Sequence, residues 1–580
     1  MSKTTDTAKK QLIDGVSSAI EQLQSAGALP EGEIRPFNVE VPGDRKNGDF
    51  SVNAAMVNAR TFRMAPVKAA QLIADRLELS GTYFDRAETA GPGFLNFYLN
   101  DRYYADILKD IQEGGDAYGR TNYGQGKNVN VEFVSANPTG PMHMGNARGG
   151  ALGDCLAAVY EAAGYEVSRE FYINDFGNQI EKFALSLDIR YRQHFEGEDA
   201  VELPEDSYHG DDIRVRAEEF IAETGDKYRN VSEEERRKAL VDYALPRNIQ
   251  NMKDAMAKYR IDYDTWFLES TLHTGEIREA IDKLTAKGLT YEKEGALWYK
   301  NIEVQTKMLK EAGKSDADIE KLNLKDDVLI RTNGNTTYFA ADIAYHYNKL
   351  VTRGYDYAID VWGADHHGHV ARVAGALAAL DLDPERFHVV LMQLVKLTRN
   401  GETVRMSKRT GKAITLVDLL DEIPIDAARF IFNIREPGQE MEFDLGLAVE
   451  QSSQNPVYYC QYAHARICSI LRKLEAEGKT ADTGADADLL LLTAPEERDL
   501  IRRLSDLPDE IVMSAKSYDP ARMTRYCIDT ATLFHKFYNA CRVDVEDAQL
   551  RNARLNLCLC TKDVIKNVLT MLKVTVPDHM

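Results

Sequence analysis

A polar, glycine-rich loop lies between a predicted strand and a predicted helix and carries residues suited to phosphate chemistry. Residues 129–134 (VNVEFV) have the β-branched and aromatic composition of a buried strand. The loop spans residues 135–145, and residues 146–163 then follow a helical pattern. Because exposed N–H groups at a helix N-terminus favour anions, the end of this loop is a candidate phosphate site. Its candidate ligands are His143, Gly145 and Asn146.

A second predicted strand at residues 167–173 completes a strand–helix–strand unit, whose two strands run parallel. Residues 328–331 and 358–363 are further predicted strands, and their alternation with helices indicates a mostly parallel sheet. Ligands of such sheets bind at the carboxyl ends of the strands. The residues at one such end are Gly363, Asp365 and His366.

Two acidic side chains and one aromatic side chain are suited to a cationic ligand. Glu132 lies inside an apolar strand, where an unpaired carboxylate would be costly, so the sequence favours a functional role for it. Tyr338 and Asp342 are four residues apart in a predicted helix and therefore share one face of that helix. The alternative for Asp342 is an ordinary solvent-exposed helical aspartate.

A short basic loop at residues 405–409 (RMSKR) offers a second group of phosphate ligands. A mobile lysine with three donors can follow charge as it shifts along a triphosphate, and Lys408 is the candidate for that role. Ser407 and Arg409 flank it. The alternative is a solvated basic loop, which is what most basic runs are.

The composition sets broader limits. The chain has 580 residues, 44% of them hydrophobic and 28% charged, as expected for three or four soluble domains. Its seven cysteines form no Cys-x-x-Cys pair, which indicates reduced thiols in a cytoplasm. We find no long apolar run, so no membrane span is expected. The net charge of −21 argues against nucleic-acid binding over the whole surface, although one local basic track would suffice.

Three histidines raise the question of a metal. His366, His367 and His369 follow a predicted strand, as zinc ligands often do. No fourth ligand of suitable spacing lies nearby in the sequence. We therefore expect no protein-bound metal.

The pattern of elements divides the chain into three predicted domains. Residues 1–125 combine helices and strands, residues 126–425 alternate them, and residues 426–580 contain amphipathic helices without strands. A charged, glycine-poor stretch at residues 186–295 is predicted to be a helical insertion in the second domain. The predicted fold class is multidomain α/β, with a Rossmann-type parallel-sheet core, an N-terminal α+β domain and a C-terminal all-α bundle.

The two phosphate-binding segments resemble the signatures of class I aminoacyl-tRNA synthetases. His143-Met144-Gly145-Asn146 resembles the His-Ile-Gly-His signature, and residues 405–409 resemble the Lys-Met-Ser-Lys-Ser loop. The wider string VEFVSANPTGPMHMGNARG, residues 131–149, resembles the arginyl-tRNA synthetase version. Asn146 is the larger departure from the signatures, because asparagine can donate a hydrogen bond but is not a cation.

The resemblance implies roles that spacing alone does not establish. The implied catalytic residues are His143, Asn146, Ser407, Lys408 and Arg409. The implied ATP-binding residues are His143, Gly145, Asn146, Gly363, Asp365, Met406 and Lys408. The implied arginine-binding residues are Glu132, Ser135, Asn137, Tyr338, Asp342 and His366. Residues 455–467 resemble the family's anticodon-binding helix, and the implied tRNA-binding residues there are Tyr459 and Arg466.

The implied activity is that of a bacterial-type arginine–tRNA ligase, acting as a cytoplasmic monomer. Arginine and ATP, with Mg²⁺, would give arginyl-adenylate and pyrophosphate. The arginyl group would then pass to the 3′-terminal adenosine of tRNA(Arg), releasing AMP. The resemblance also implies that activation needs bound tRNA and that the N-terminal domain contacts the tRNA. The implied partners are tRNA(Arg), L-arginine and ATP.

An arginine pocket makes a specific structural demand. Two carboxylates in one pocket repel each other unless a cation lies between them. We therefore expect Glu132 and Asp342 to converge in the crevice and to hold the guanidinium between them, because both can reach the end of the sheet. Residues 328–331 are expected to belong to that sheet and to precede the helix that carries Asp342.

Two alternative functions remain open. Another class I synthetase, such as the cysteinyl enzyme, would need a zinc–thiolate site, and the nucleotide fold has no suitable cysteines. A catalytically inactive tRNA-binding regulator is the other alternative. The presence of Glu132, Asp342 and Lys408 argues against it.

Overall fold

The computed structural model describes residues 2–198, 201–404 and 414–580. The chain begins with an α+β region. Its strands are β1 (Val39–Glu40), β2 (Phe50–Val52), β3 (Phe84–Ala90) and β4 (Phe94–Leu99). Its helices are α1 (Lys3–Ser25), α2 (Ala54–Val57), α3 (Ala59–Phe62), α4 (Pro66–Arg76) and α5 (Asp101–Gly114). The strands form an antiparallel sheet in the order β1-β2-β4-β3, which confirms the expected N-terminal fold class.

The central region carries the larger sheet. The strands from here to the C-terminus are β5 (Asn128–Glu132), β6 (Glu166–Ile173), β7 (Thr265–Leu268), β8 (Thr290–Lys293), β9 (Ala296–Tyr299), β10 (Asp327–Ile330), β11 (Tyr357–Gly363), β12 (Phe387–Met392), β13 (Val395–Arg399), β14 (Glu402–Thr403) and β15 (Met441–Asp444). The helices are α6 (Asn146–Ala162), α7 (Asn178–Glu196), α8 (Asp211–Thr224), α9 (Glu233–Lys258), α10 (Glu276–Ala286), α11 (Asn301–Glu311), α12 (Asp316–Lys321), α13 (Tyr338–Tyr347), α14 (His367–Ala379) and α15 (Leu416–Glu422). The predicted strand–helix–strand unit is β5, α6 and β6.

The larger sheet is wholly parallel and has the order β12-β11-β5-β6-β7. The strand order reverses between β5 and β11, so a crevice opens at the carboxyl ends of these two strands. Helix α6 packs closely on the sheet because it is rich in glycine: a Cβ on Gly153 would lie only 2.2 Å from Cγ of Phe133. These glycines serve packing against the sheet.

Two short strands correct the sequence prediction. The range 186–295, predicted as a purely helical insertion, contains β7, which is the edge strand of the parallel sheet. Residues 328–331 were expected in the parallel sheet, but β10 pairs antiparallel with β9 in a separate sheet of order β10-β9-β8. Each of these strands has four residues. A run that short shows no periodicity that could assign it to a sheet.

The C-terminal region is mostly helical. Its helices are α16 (Ile425–Ile431), α17 (Leu445–Val449), α18 (Pro456–Ala476), α19 (Pro495–Ser505), α20 (Leu507–Ser517), α21 (Ala521–Ala540) and α22 (Ala548–Met571). The expectation that strands are absent after residue 426 is wrong, because β15 pairs parallel with β13. That small sheet, of order β14-β13-β15, supports the segment leading to residues 405–413.

Two further features concern the cysteines and the length of the helices. All seven cysteines are buried and none forms a disulfide. Within the described residues, the helices are too short or too polar to cross a membrane.

Candidate active site

The residues that follow the basic loop in the chain lie against the first signature. The N–H of Met144 donates to the carbonyl of Ile414 (3.0 Å), and that of Leu416 donates to the carbonyl of Met142 (2.9 Å). Residues 414–416 directly follow the basic loop in the sequence. The loop residues predicted to act in catalysis and ATP binding lie outside the described residues; they are Met406, Ser407, Lys408 and Arg409.

The first signature leads directly into α6. His143 is exposed, and its Nδ1 accepts the N–H of Gly145 at 3.2 Å. Asn146 is the first residue of α6, so the residues predicted to bind phosphate do lie at a helix N-terminus. A phosphate there would lie at the positive end of the helix dipole, while the N–H groups of Gly145, Asn146 and Ala147 already donate within the turn.

Arg148 fixes this helix to the small sheet that precedes the basic loop. Its side chain is fully buried, and Nη1 donates to the carbonyls of Gln393 (2.8 Å) and Gln439 (3.0 Å). Nη2 donates to the carbonyl of Glu436 at 3.0 Å. Burial without a carboxylate in contact lowers the pKa of Arg148 to about 10. One guanidinium therefore holds both signature-bearing parts in register.

The backbone after β5 is strained. Val134 and Ser135 have φ angles of 74° and 36°, and a β-branched residue rarely adopts such values. Ser135 Oγ holds the bend, because it donates to Oε1 of Glu132 (2.8 Å) and accepts the N–H of Tyr172 (3.1 Å). Strain of this kind, held by specific hydrogen bonds, is typical of functional sites.

A row of three buried carboxylates crosses the centre of the sheet. Glu132 on β5 lies opposite Asp360 on β11 and Glu170 on β6. Lys349, which is fully buried, places Nζ 2.5 Å from Oε2 of Glu132 and 2.9 Å from Oδ1 of Asp360. Lys349 is thus a cation of the same chain beside Glu132, and the expectation that Glu132 helps to hold the guanidinium stays a prediction.

The other members of this row are also paired. Arg353 forms an ion pair with both oxygens of Glu170, and Tyr345 Oη lies 2.8 Å from Oε2 of Glu132 and 2.5 Å from Oε1 of Glu170. A hydroxyl has one hydrogen to give, so Tyr345 can donate to only one of the two carboxylates at a time. Burial raises the pKa of Glu132, and Lys349 opposes that rise.

His346 connects the row to the pocket. Its Nε2 lies 2.6 Å from Oδ2 of Asp360, and its Nδ1 lies 2.7 Å from the carbonyl of Asp342. Both partners accept hydrogen bonds, so the imidazole must carry two protons. Although burial alone would raise it, Lys349 and His346 lower the pKa of Asp360 to about 2. The row is thus a balanced set of charges.

Asp342 has different surroundings. Its Oδ2 lies 2.6 Å from Nε2 of His369, and Nη2 of Arg372 lies 3.0 Å from Nδ1 of the same ring. Arg372 can only donate, so the ring is neutral and donates from Nε2 to Asp342. The Asp342 side chain is 29% exposed. Its carboxylate is oriented by His369.

These side chains surround a cavity of about 720 Å³ at the carboxyl ends of β5 and β11. The predicted residues that line it are Glu132, Ser135, Tyr338, Asp342, Gly363, Asp365 and His366. Asn137 does not line it and is exposed. His369, which the sequence raised as a metal ligand, is held by Asp342, whereas His366 and His367 are exposed.

Glu269 was missed by the sequence analysis. It is 4% exposed, and its Oε1 lies 3.3 Å from Nε2 of His273. Burial raises the pKa of Glu269. The pKa of Tyr172 is raised by burial and then by Glu269 and Asp342, so both carboxylates lie near this ring. Within the described part of the chain, neither carboxylate pairs with a lysine or arginine. Asp342 lines the first cavity, whereas Glu269 lines the cavity described next.

A second cavity, of about 810 Å³, adjoins the first. Tyr338, which is 46% exposed, lines both cavities, and Glu269 lines the second. Phe176 stacks on His273 there, with ring centroids 3.7 Å apart. Its wall carries both basic and acidic side chains, which are Arg237, Lys238, Arg331, Asp175, Glu181, Asp242 and Glu269.

The C-terminal residues predicted to bind RNA lie on α18. Tyr459 is half-buried against α21, and the Arg466 guanidinium lies 4.3 Å from the ring centroid of Tyr538. The rings of Tyr458 and Tyr462 are nearly parallel on the outer side of the helix, at an angle of 7° and a centroid distance of 6.3 Å. The sequence analysis missed these two residues, although their spacing of four predicts a shared face.

Comparison with known protein families finds three that match successive parts of this chain. The family described as "Arginyl tRNA synthetase N terminal domain" matches residues 10–99. "tRNA synthetases class I (R), catalytic domain" matches residues 110–463. "DALR anticodon binding domain" matches residues 460–580.

Individual proteins show the same similarity as the family matches. The chain is 53% identical over 581 residues to an arginine–tRNA ligase of Caldanaerobacter subterraneus subsp. tengcongensis, covering 100% of both chains. It is 51% identical over 581 residues to that of Acetivibrio thermocellus, again over 100% of both. Among solved structures, Thermus thermophilus arginyl-tRNA synthetase has a TM-score of 0.72 at 22% identity, covering 99% of this chain and 100% of that one. At that identity the structural match supports the fold alone.

Proposed function

The chain belongs to the class I arginyl-tRNA synthetases, and on that premise we propose how its residues divide the work. It is an arginine–tRNA ligase. It activates L-arginine with ATP, giving arginyl-adenylate and pyrophosphate, and transfers the arginyl group to the 3′-terminal adenosine of tRNA(Arg), releasing AMP. No side chain needs to act as a nucleophile, because positioning and charge stabilisation can carry both steps.

The arginine side chain is proposed to bind between Asp342 and Glu269. Both carboxylates lie near Tyr172 and lack a lysine or arginine partner within the described residues. A guanidinium supplies five donors in a planar fork, so it can bond two carboxylates at once. Tyr338 borders the same space. These two carboxylates near one ring, neither paired with a lysine or arginine in the described part of the chain, are the observation that carries the proposal.

Glu132 and Ser135 are proposed to shape the floor of the pocket. Glu132 already has Lys349 as its partner, and Ser135 holds the strained turn above it. A carboxylate in a balanced ion network offers little free charge to a substrate. His366 is exposed at the edge of the cavity, and Asn137 would need the ligand or a loop movement to take part.

ATP is proposed to bind across the ends of β5 and β11. His143, Gly145 and Asn146 would hold phosphate at the N-terminus of α6, and Gly363 and Asp365 would border the nucleotide. From the basic loop, Met406, Ser407, Lys408 and Arg409 would reach the triphosphate. Mg²⁺ would accompany ATP and neutralise charge on its phosphates.

The second cavity is proposed to admit the 3′ end of tRNA. It opens beside the proposed arginine site and combines basic side chains with the Phe176–His273 stack. Stacked rings and cations are what a single-stranded end requires. In the C-terminal domain, Tyr459 and Arg466, together with Tyr458 and Tyr462, are proposed to contact the anticodon.

Some further proposals concern the whole protein. We propose that it acts as a monomer in the cytoplasm, which the unpaired cysteines support. We also propose boundaries near residues 125 and 425 for the N-terminal and C-terminal domains. The proposed C-terminal domain then includes β15, although that strand pairs with the catalytic region.

The proposed function is tested by charging unfractionated tRNA with each of the twenty amino acids in turn. We expect charging with arginine alone, because the pocket demands a fork-shaped cation. Lysine should be at least about 100-fold less efficient, since its ammonium lacks the planar fork of five donors that a guanidinium offers. Comparable charging with lysine would contradict the proposed pocket, and charging with no amino acid would contradict the activity.

A further inference from the structure

Far from the catalytic cavity, three potential metal ligands meet where the C-terminal segment crosses α18. His464 and Cys468 are four residues apart on this helix, and both are buried. Asp578 comes from the segment after α22. The candidate ligand atoms all lie within 4.8 Å of one another.

The two distances that join Cys468 to the other candidate ligands fit a tetrahedral ion. Cys468 Sγ lies 3.7 Å from Nδ1 of His464 and 3.4 Å from Oδ1 of Asp578. With Zn–S bonds of about 2.3 Å and Zn–N or Zn–O bonds of about 2.0–2.2 Å, neighbouring ligands of a tetrahedron are about 3.4–3.6 Å apart. The carbonyl oxygen of Pro577, 3.1 Å from the same Nδ1, lies beside the remaining corner.

We propose that His464, Cys468 and Asp578 form a zinc site that fastens the C-terminal segment to α18. A nitrogen, a sulfur and an oxygen ligand are the donors that Zn²⁺ takes in proteins. The fourth position is left for Pro577 or water. Asp578 is exposed, which gives the ion a path into the site.

The charges around the site limit which ions can bind there. Lys562 and Arg472 lie close enough to act on Cys468, and Arg472 donates to the backbone carbonyl of Asp578 at 3.2 Å. A dication is therefore held only if it displaces the thiol proton. Thiolate and carboxylate then balance the two positive charges, and the displaced proton is released to solvent.

The site would act on the helix proposed to bind the anticodon. His464 and Cys468 face the C-terminal segment, whereas Tyr458 and Tyr462 face outward on the same helix. Gln461, on the inner side, also donates to the carbonyl of Thr575 at 2.9 Å. A metal would add to these hydrogen bonds and hold the last residues of the chain in place.

The test uses the full-length protein, freed of metal with a chelator and then titrated with Zn²⁺ and, separately, Co²⁺. We expect one Zn²⁺ per chain. Cobalt should give the visible bands of a tetrahedral ion and a thiolate charge-transfer band in the near ultraviolet. Cys468→Ala should abolish that band, and Asp578→Asn should weaken binding on the order of 100-fold or more.

Cys541→Ala is the matched control, because Cys541 is also buried (5% exposed) but lies outside the cluster. Circular dichroism checks that each variant is folded. If Cys468→Ala does not fold, Asp578→Asn still tests the proposal, because Asp578 is only the third residue from the end of the chain. No stoichiometric zinc binding, or a cobalt spectrum that survives both variants, would overturn the proposal. The cluster would then be a hydrogen-bonded clamp only.

A second measurement tests directly whether zinc holds the C-terminal segment against α18. Carboxypeptidase should release Met580 and His579 several-fold more slowly from the zinc-loaded protein than from the metal-free protein. The difference should vanish in Asp578→Asn and persist in Cys541→Ala. Equal release rates with and without zinc would show that no such fastening exists.

Discussion

Glu132 and Asp342 are carboxylates of the same cavity, and the sequence predicts one role for both, which is to hold the guanidinium. Glu132 lies in the sheet and is bonded to Lys349, Tyr345 and Ser135. Asp342 lies on α13, is partly exposed and has one neutral histidine, His369, as its partner. One charge is already compensated by the chain, and the other is available to a ligand.

This difference separates stability from recognition. Buried carboxylates in a row need cations of the same chain, because a substrate arrives only after folding. A carboxylate that selects a cationic substrate must instead remain charged and uncompensated until that substrate binds. The two carboxylates should therefore respond differently to substitution.

The largest effect is expected for Lys349→Met. It leaves Glu132 and Asp360 buried without their shared cation, so the free energy of unfolding should fall by about 3–5 kcal/mol in urea denaturation. Adding Glu132→Gln should recover part of the loss, because it removes one unpaired charge. A loss below about 1 kcal/mol would contradict the view that Lys349 compensates this row.

Glu269→Gln should weaken arginine recognition rather than lower the stability of the fold. Removing one of the two uncompensated carboxylates should raise KM for arginine roughly 30-fold, equivalent to about 2 kcal/mol, while KM for ATP stays constant. Steady-state aminoacylation measures both constants. The control is Glu279→Gln, on an exposed helix face. An unchanged KM for arginine would leave Asp342 without the partner assigned here.

Arg148→Lys should alter neither carboxylate. Lysine cannot reach three carbonyls at once, so the two signature segments should lose register and kcat should fall about tenfold. KM for arginine should stay within twofold of the wild-type value. The exposed Arg435→Lys is the control. If kcat were unchanged, or thermal stability alone were lost, Arg148 would be a structural residue only.

The smallest effect concerns pH. Because burial raises the pKa of Glu269, this carboxylate takes up a proton at a higher pH than an ordinary glutamate. Protonation removes its attraction for a guanidinium, so KM for arginine should rise a few-fold as the pH falls through the raised pKa of this carboxyl. Glu269→Gln should abolish this dependence and Asp342→Asn should retain it. The same profile in wild type and Glu269→Gln would assign the titration elsewhere.

The sequence predicted the parts of the site that lie on long or strongly patterned elements. The β5–α6–β6 unit, the Tyr338–Asp342 face and the strand end at Gly363 are all found as expected. Each depends on local periodicity or on the general rule that ligands bind at strand ends.

The missed features depend on contacts between distant residues. Lys349 lies 217 positions from Glu132, in a π-helical turn that no local pattern predicts. Glu269 directly follows β7, a four-residue strand that was taken for part of a helical insertion. Without that strand in the sheet, nothing in the sequence directs Glu269 into the pocket.

The most direct test of the account compares arginine binding by Asp342→Asn and Glu132→Gln, using calorimetry with ATP binding as the control. Asp342→Asn should weaken arginine binding by 2–5 kcal/mol, roughly 30- to 5,000-fold, with little change in stability. Glu132→Gln should weaken it less than about tenfold but lower the free energy of unfolding by roughly 1–3 kcal/mol. The reverse order, with arginine binding lost in Glu132→Gln and kept in Asp342→Asn, would contradict the assignment of the free carboxylate.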